Sequence, residues 1–93
     1  MTNLNLDELT HAIKLLIIDE CDKSDDISID EFEDDLPFFG KGSPLALDSL
    51  DTLQISMAVQ KTYGVRIEGA GVVRSAMNNA KTLAEFIIAN QHP

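Results

Sequence analysis

A chain of 93 residues with a formal net charge of −9 at pH 7 suits one small domain, and its 44% apolar content lies outside the composition range of disorder. Its acidity opposes nucleic acid phosphates and anionic lipid surfaces and favours partners with basic surfaces. The single cysteine, Cys21, excludes an internal disulfide framework, no basic-then-apolar leader opens the chain, and the longest apolar run, Leu15 to Ile18, is far too short to span a bilayer, so a cytoplasmic protein without membrane or nucleic acid partners is expected.

Leu6, Leu9, Ile13, Leu16 and Ile17 recur at helical spacing, and Asn5 with Glu8 can form a capping box ahead of them. The spacing predicts a first helix from Leu6 to Cys21 with its apolar face in the core. Cys21 at its end reads as a packing residue, and His11 as a surface residue.

Asp22 to Leu47 shows no sustained period and holds Gly40, Gly42, Pro37 and Pro44. It reads as a long connection, with a short helical turn near Glu31 to Leu36. Ten of the sixteen acids fall between Asp19 and Asp35, against one lysine, so the acidity is mostly local to the first half. Connections of this length are uncommon in compact domains and are often functional. Phe32, Leu36, Phe38, Phe39, Leu45 and Leu47 are candidates to pin it to the core.

The same connection places Asp22, Ser24, Asp26, Asp30 and Glu33 in the spacing of an EF-hand calcium loop, with the Ser28 carbonyl and apolar Ile29 also in register. Ile27 stands where that loop needs the sharp turn of a glycine, and Pro37 truncates the exiting helix. A solvated acidic loop is the expected reading, and no metal ligand is assigned.

Asp48 reads as the N-cap of a second helix, with Ser49 at N1 and Asp51 at N3; Gly64 stops the helix after Tyr63. At about 100° per residue this helix has two apolar stripes, Ile55–Val59–Tyr63 and Leu50–Leu53–Met57, on largely different sides. One core needs only one stripe, so the second is either more core or a contact surface. Ser49 lies angularly between them.

Val65 to Ile67 reads as an extended link. Ala70 to Asn78 reads as a short third helix weakened by Gly69 and Gly71, with Val72, Val73, Ala76 and Met77 at helical spacing. Thr82 and Glu85 spell a capping box before Leu83, Phe86 and Ile87, in a final helix ending near Asn90. His92 beyond it reads as a surface residue. The expected fold is all-α: an antiparallel four-helix bundle in one domain over residues 1–93, with a long first loop and a short oblique third helix.

Asp48-Ser-Leu-Asp-Thr-Leu53, followed by Ile55, Met57-Ala-Val59, Tyr63, Val65-Arg-Ile67 and Lys81-Thr-Leu-Ala-Glu-Phe-Ile87, resembles the acyl carrier protein family. The likeness is strong from Leu45 to Ile88 and extends to the first helix by arrangement. It implies a bundle of acyl-carrier type in which Ser49 is the attachment point of 4′-phosphopantetheine. A serine at N1, near free backbone N–H groups and the positive end of the helix dipole, is a favourable setting for a phosphodiester.

The resemblance further implies that Asp48, Leu50, Asp51, Leu53 and Met57 recognise partners, and that Ile55, Val59, Ile67 and Phe86 line an acyl-chain cavity, although these four would line an apolar core in any case. The implied partners are a phosphopantetheinyl transferase, a ketosynthase and other acyl-processing enzymes. Gln54, Gln60 and Lys61 stand where fatty-acid carriers usually have acids, which points to a specialised pathway with a different contact pattern. The segments Leu36-Pro-Phe-Phe-Gly40 and Ser43-Pro-Leu45 look more like carriers of secondary-metabolite clusters such as aryl polyene systems.

The expected function is therefore that of a freestanding, monomeric acyl carrier that serves fatty-acid-like or polyketide-like biosynthesis without catalysing a step; the initiating Met and an end just past the fourth helix favour a discrete protein. No catalytic residue is assigned, because neither His11 nor His92 has a partner that sequence identifies. The alternatives are a helical adaptor that uses Leu50, Leu53 and Met57 as a groove-binding face without a prosthetic group, and, less favoured, a calcium-loop protein. A peptidyl carrier is closer chemically, but Ala46-Leu-Asp48 resembles the acyl type.

Overall fold

The computed structural model describes residues 5–22, 27–39, 43, 45 and 47–91. They form four helices: α1 (Leu6–Glu20), α2 (Ser49–Tyr63), α3 (Ala70–Ala76) and α4 (Ala80–Asn90). No strand occurs among the described residues. Helix α1 packs most extensively on α4 and next on α2, while α3 rests on α4. The radius of gyration of 12.3 Å is that of a compact domain of this length.

Local chemistry explains most of the boundaries. At the start of α1 the Asn5 side chain accepts from the N–H groups of Asp7 and Glu8, satisfying two of the donors that have no partner inside the helix. The helix closes one residue earlier than the periodicity predicts, with Cys21 as its C-cap. Helix α2 ends at Gly64, which adopts the left-handed region (φ 70°) at little steric cost. Val65 and Ile67 of the following link are buried while Arg66 faces solvent and pairs with Glu68. Helix α3 stops at Ala76, two residues before the expected Asn78.

Two expectations are corrected. Helix α4 starts at Ala80, not after a cap at Thr82: Asn79 is the N-cap, its side chain accepts from Thr82 N–H at 2.8 Å, and Thr82 Oγ1 accepts from Asn79 N–H at 3.0 Å. Starting three residues earlier brings Ala80 into the helix, where it is completely buried. The stretch Glu31 to Leu36 is a succession of hydrogen-bonded turns, with Leu36 N–H donating to the Glu33 carbonyl, and does not propagate as a helix.

The long connection is nonetheless built into the core. Phe32, Phe38, Leu45 and Leu47 are buried beside Leu9, Ile13 and Ile17 of α1, Ile55 and Val59 of α2, and Leu83 and Ile87 of α4. Phe39, expected to join them, is 39% exposed, and Leu36 is half-buried. Two backbone bonds stitch the loop to the junction of α3 and α4, Phe38 N–H donating to Asn78 O and Lys81 N–H to Asp34 O, and a third, from Leu47 N–H to Phe38 O, closes the loop on itself. Buried Ser43 donates through Oγ to Pro37 O at 2.6 Å and accepts from Leu45 N–H at 3.1 Å. Gly40, Gly42, Pro44, Ala46 and His92 lie outside the described residues.

Candidate functional site

The N-terminus of α2 is held by reciprocal bonds between two acids. Asp48 Oδ1 accepts from Asp51 N–H at 2.9 Å, and Asp51 Oδ2 accepts from Asp48 N–H at 3.1 Å. Thr52 adds N–H and hydroxyl donations to the Asp48 carbonyl, both at 3.0 Å. Asp48 is extended (φ −112°, ψ −175°), which turns the chain sharply into the helix. Both carboxylates are thereby drawn back onto the backbone, and Ser49 at N1 is exposed to solvent. Behind this turn the Cys21 thiol, itself buried, lies 4.0 Å from the Asp51 carbonyl oxygen, tying the end of α1 to the start of α2.

The two stripes of α2 meet opposite fates. Ile55 and Val59 are fully buried in the shared core, where α2 packs on α1, and Tyr63 is half-buried. Leu50, Leu53 and Met57 are 64%, 55% and 61% exposed, so the second stripe forms a surface. Three large apolar side chains this exposed at steps of three and four residues constitute a patch, not isolated surface hydrophobics.

Ile67 is buried and held toward α2 by the Ser56 hydroxyl, which donates to its carbonyl at 3.2 Å; Phe86 is half-buried against the same core. Ile55, Val59, Ile67 and Phe86 therefore share one apolar interior with the rest of the core. A groove of about 350 Å³ between α2 and the end of α1 is lined by Gln54, Met57, Ala58, Lys61 and Glu20. The spacing of the four α2 residues puts them on one side of that helix, whereas nothing local to Glu20 marks it as part of the same lining.

In the acidic loop, Ser28 N–H and Oγ both donate to Glu31 Oε1, at 3.1 and 3.0 Å, and these bonds hold the exposed Glu31 carboxyl below the usual carboxylate range. Glu31 is thus engaged in capping a turn. Among the described residues no group of three or more His, Cys, Asp or Glu side chains is placed to hold a metal ion; Ser24 and Asp26 lie outside them. His11 is exposed on α1. No described helix is long and apolar enough to cross a membrane. No protein-family model matches the chain, and no curated protein does.

Proposed function

We propose that the protein is an acyl carrier, an antiparallel bundle of acyl-carrier type that bears 4′-phosphopantetheine on Ser49. The observation that carries the reading is the exposed hydroxyl at N1 of α2, at the head of the exposed Leu50–Leu53–Met57 stripe. Together with the resemblance of residues 48–53 to the Asp-Ser-Leu attachment motif, it joins a modification point to a docking surface on one helix.

The residues present fit such a group. The Ser49 hydroxyl is open to a bulky substituent, the first-turn amides provide donors and the positive end of the helix dipole, and the neighbouring carboxylates are occupied in the capping box. Attachment forms a bond from Ser49 Oγ to phosphorus as the pyrophosphate of coenzyme A breaks and adenosine bisphosphate leaves; the hydroxyl proton passes to a base of the transferase. The protein need not activate the serine itself. When bound, the arm supplies a terminal thiol that carries acyl groups as thioesters. The chain's own part is to hold the attachment point at a rigid helix start and to offer the apolar stripe to a phosphopantetheinyl transferase, a ketosynthase and other acyl-processing enzymes.

A helical adaptor would use the same exposed stripe, and modification separates the two. Incubated with coenzyme A and a broad-specificity phosphopantetheinyl transferase, the protein is expected to gain the mass of one phosphopantetheinyl group, and Ser49→Ala to gain none. An unmodified parent protein, or a gain that persists in Ser49→Ala, overturns the assignment.

A further inference from the structure

Ser43 places a hydroxyl in the interior of the connection that leads into α2, 7% exposed and six residues ahead of Ser49. Its Oγ donates to Pro37 O at 2.6 Å and accepts from Leu45 N–H at 3.1 Å, so one hydroxyl joins an amide in the core to a carbonyl earlier in the loop. Two residues further on, Leu47 N–H donates directly to Phe38 O at 3.0 Å. Alternate amides of the incoming segment, Leu45 and Leu47, are thus held by the consecutive carbonyls of Pro37 and Phe38, the first of them through Ser43. The side chains of Leu45 and Leu47 are buried in the same core.

The segment that receives these bonds is itself fixed. Phe38 is fully buried, and its N–H donates to Asn78 O at 3.0 Å, next to the Asn79 cap of α4. A line of bonds therefore runs from the junction of α3 and α4 through Phe38 to Leu47, and Leu47 is followed at once by Asp48, which starts α2. The amides of that first turn have no partners inside the helix. The reciprocal bonds between Asp48 and Asp51 serve them only while Asp48 keeps its extended backbone, which the preceding residues set. Released from Pro37, the approach is free to move and the first turn to fray, whereas the helix beyond it is held by the buried Ile55 and Val59.

We infer that Ser43 is a positioning residue for the modification of Ser49: its hydroxyl pins the approach to α2, and the first turn secured in this way presents the Ser49 oxygen in one place. The inference rests on the carrier reading for the reaction that is served, and not for the pinning of the turn. Being buried and six residues away, Ser43 acts through the backbone and not on the reacting atoms. Loss of its hydroxyl also takes a partner from the Leu45 amide inside the core, which drives the local opening. A loosened serine is turned over more slowly once docked, while Leu53 and Met57, on the part of α2 that stays formed, keep the affinity for the transferase.

The test compares Ser43→Ala with Ser43→Thr, which keeps the hydroxyl, and with Gly64→Ala, which strains the left-handed cap at the far end of α2 and lowers stability away from this network. All are assayed well below their unfolding midpoints, with helicity by circular dichroism matching the parent protein. With coenzyme A and a broad-specificity phosphopantetheinyl transferase, Ser43→Ala is expected to lower kcat roughly three- to ten-fold and to leave KM within about two-fold of the parent protein. Ser43→Thr and Gly64→Ala keep the parent kinetics. Native-state amide exchange, read by nuclear magnetic resonance, should be roughly ten-fold faster at Leu47 in Ser43→Ala and unchanged there in the other two variants. A parent-like kcat in Ser43→Ala overturns the inference, as does an equal loss of kcat in Ser43→Thr or Gly64→Ala, or Leu47 exchange that Ser43→Ala leaves unchanged. A parent protein that accepts no phosphopantetheine overturns the carrier reading instead, and the pinning of the turn then stands or falls on Leu47 exchange alone.

Discussion

Tyr63 closes the buried stripe of α2 just as Ser49 opens the helix, and the two hydroxyls meet opposite surroundings. Burial raises the Tyr63 phenol above its ordinary value of 10.0, because the charged phenolate loses solvation there. For a group whose folded value is raised, the associated stability is fully present below the unfolded value and is lost as pH rises through the folded one. Tyr63 is the sole tyrosine and the chain has no tryptophan, so an absorbance titration reads it alone. Phenolate formation is expected at higher pH in the folded protein than in denaturant, with stability declining above pH 10; coincident titrations would show the ring to be solvated. Ser49 illustrates the converse limit of legibility. Its place at N1 follows from Asp48 and Gly64, but a helical wheel leaves it between two stripes, and its exposure depends on which stripe the other helices cover.

At the scale of elements, caps decide where helices start. The Thr82–Glu85 pair has the right spelling for a capping box, yet Asn79 and Thr82 win by forming one three residues earlier. Thr82 Oγ1 accepts from Asn79 N–H and also contacts Ala76 O at 2.9 Å, so one side chain secures the end of α3 and the start of α4 together. Asn79→Ala is therefore expected to cost about 1 kcal/mol in denaturant unfolding. Glu85→Gln, at an exposed site within the helix, should fall within about 0.5 kcal/mol of the parent protein. Equal costs at the two sites would return the cap to Thr82. The weakness of α3 follows from similar causes: it has seven residues, no side-chain cap bond at Gly69, and one buried residue, Ala76.

For the whole molecule, the long connection acts as a structural layer. Phe32 and Phe38 meet edge to face with centroids 6.4 Å apart, and Lys14 of α1 joins them, pairing with Asp34 while its ammonium lies 6.0 Å from the Phe32 ring centroid. Removing Phe38 should cost about 3–5 kcal/mol as Phe38→Ala, a large share of the roughly 5–15 kcal/mol that holds a domain together. Phe39→Ala should cost less, about 1–2 kcal/mol, since that ring is 39% exposed and keeps only an edge contact with Phe38. Thermal and denaturant unfolding of the pair reads the difference directly, and equal losses would mean that both rings belong to the core.

Adjacent and chemically identical, Phe38 and Phe39 mark the division. The span of α2 and its cap at Asp48 were determined by the sequence alone, because periodicity, an acid three residues from its partner and a glycine stop act within a turn or two of chain. Which apolar face is covered, which phenylalanine enters the core and that Glu20 borders the groove beside Met57 were decided only by tertiary packing. Burial is a property of surfaces brought together from distant parts of the chain, and residues identical in sequence terms acquire different energies once one of them is enclosed.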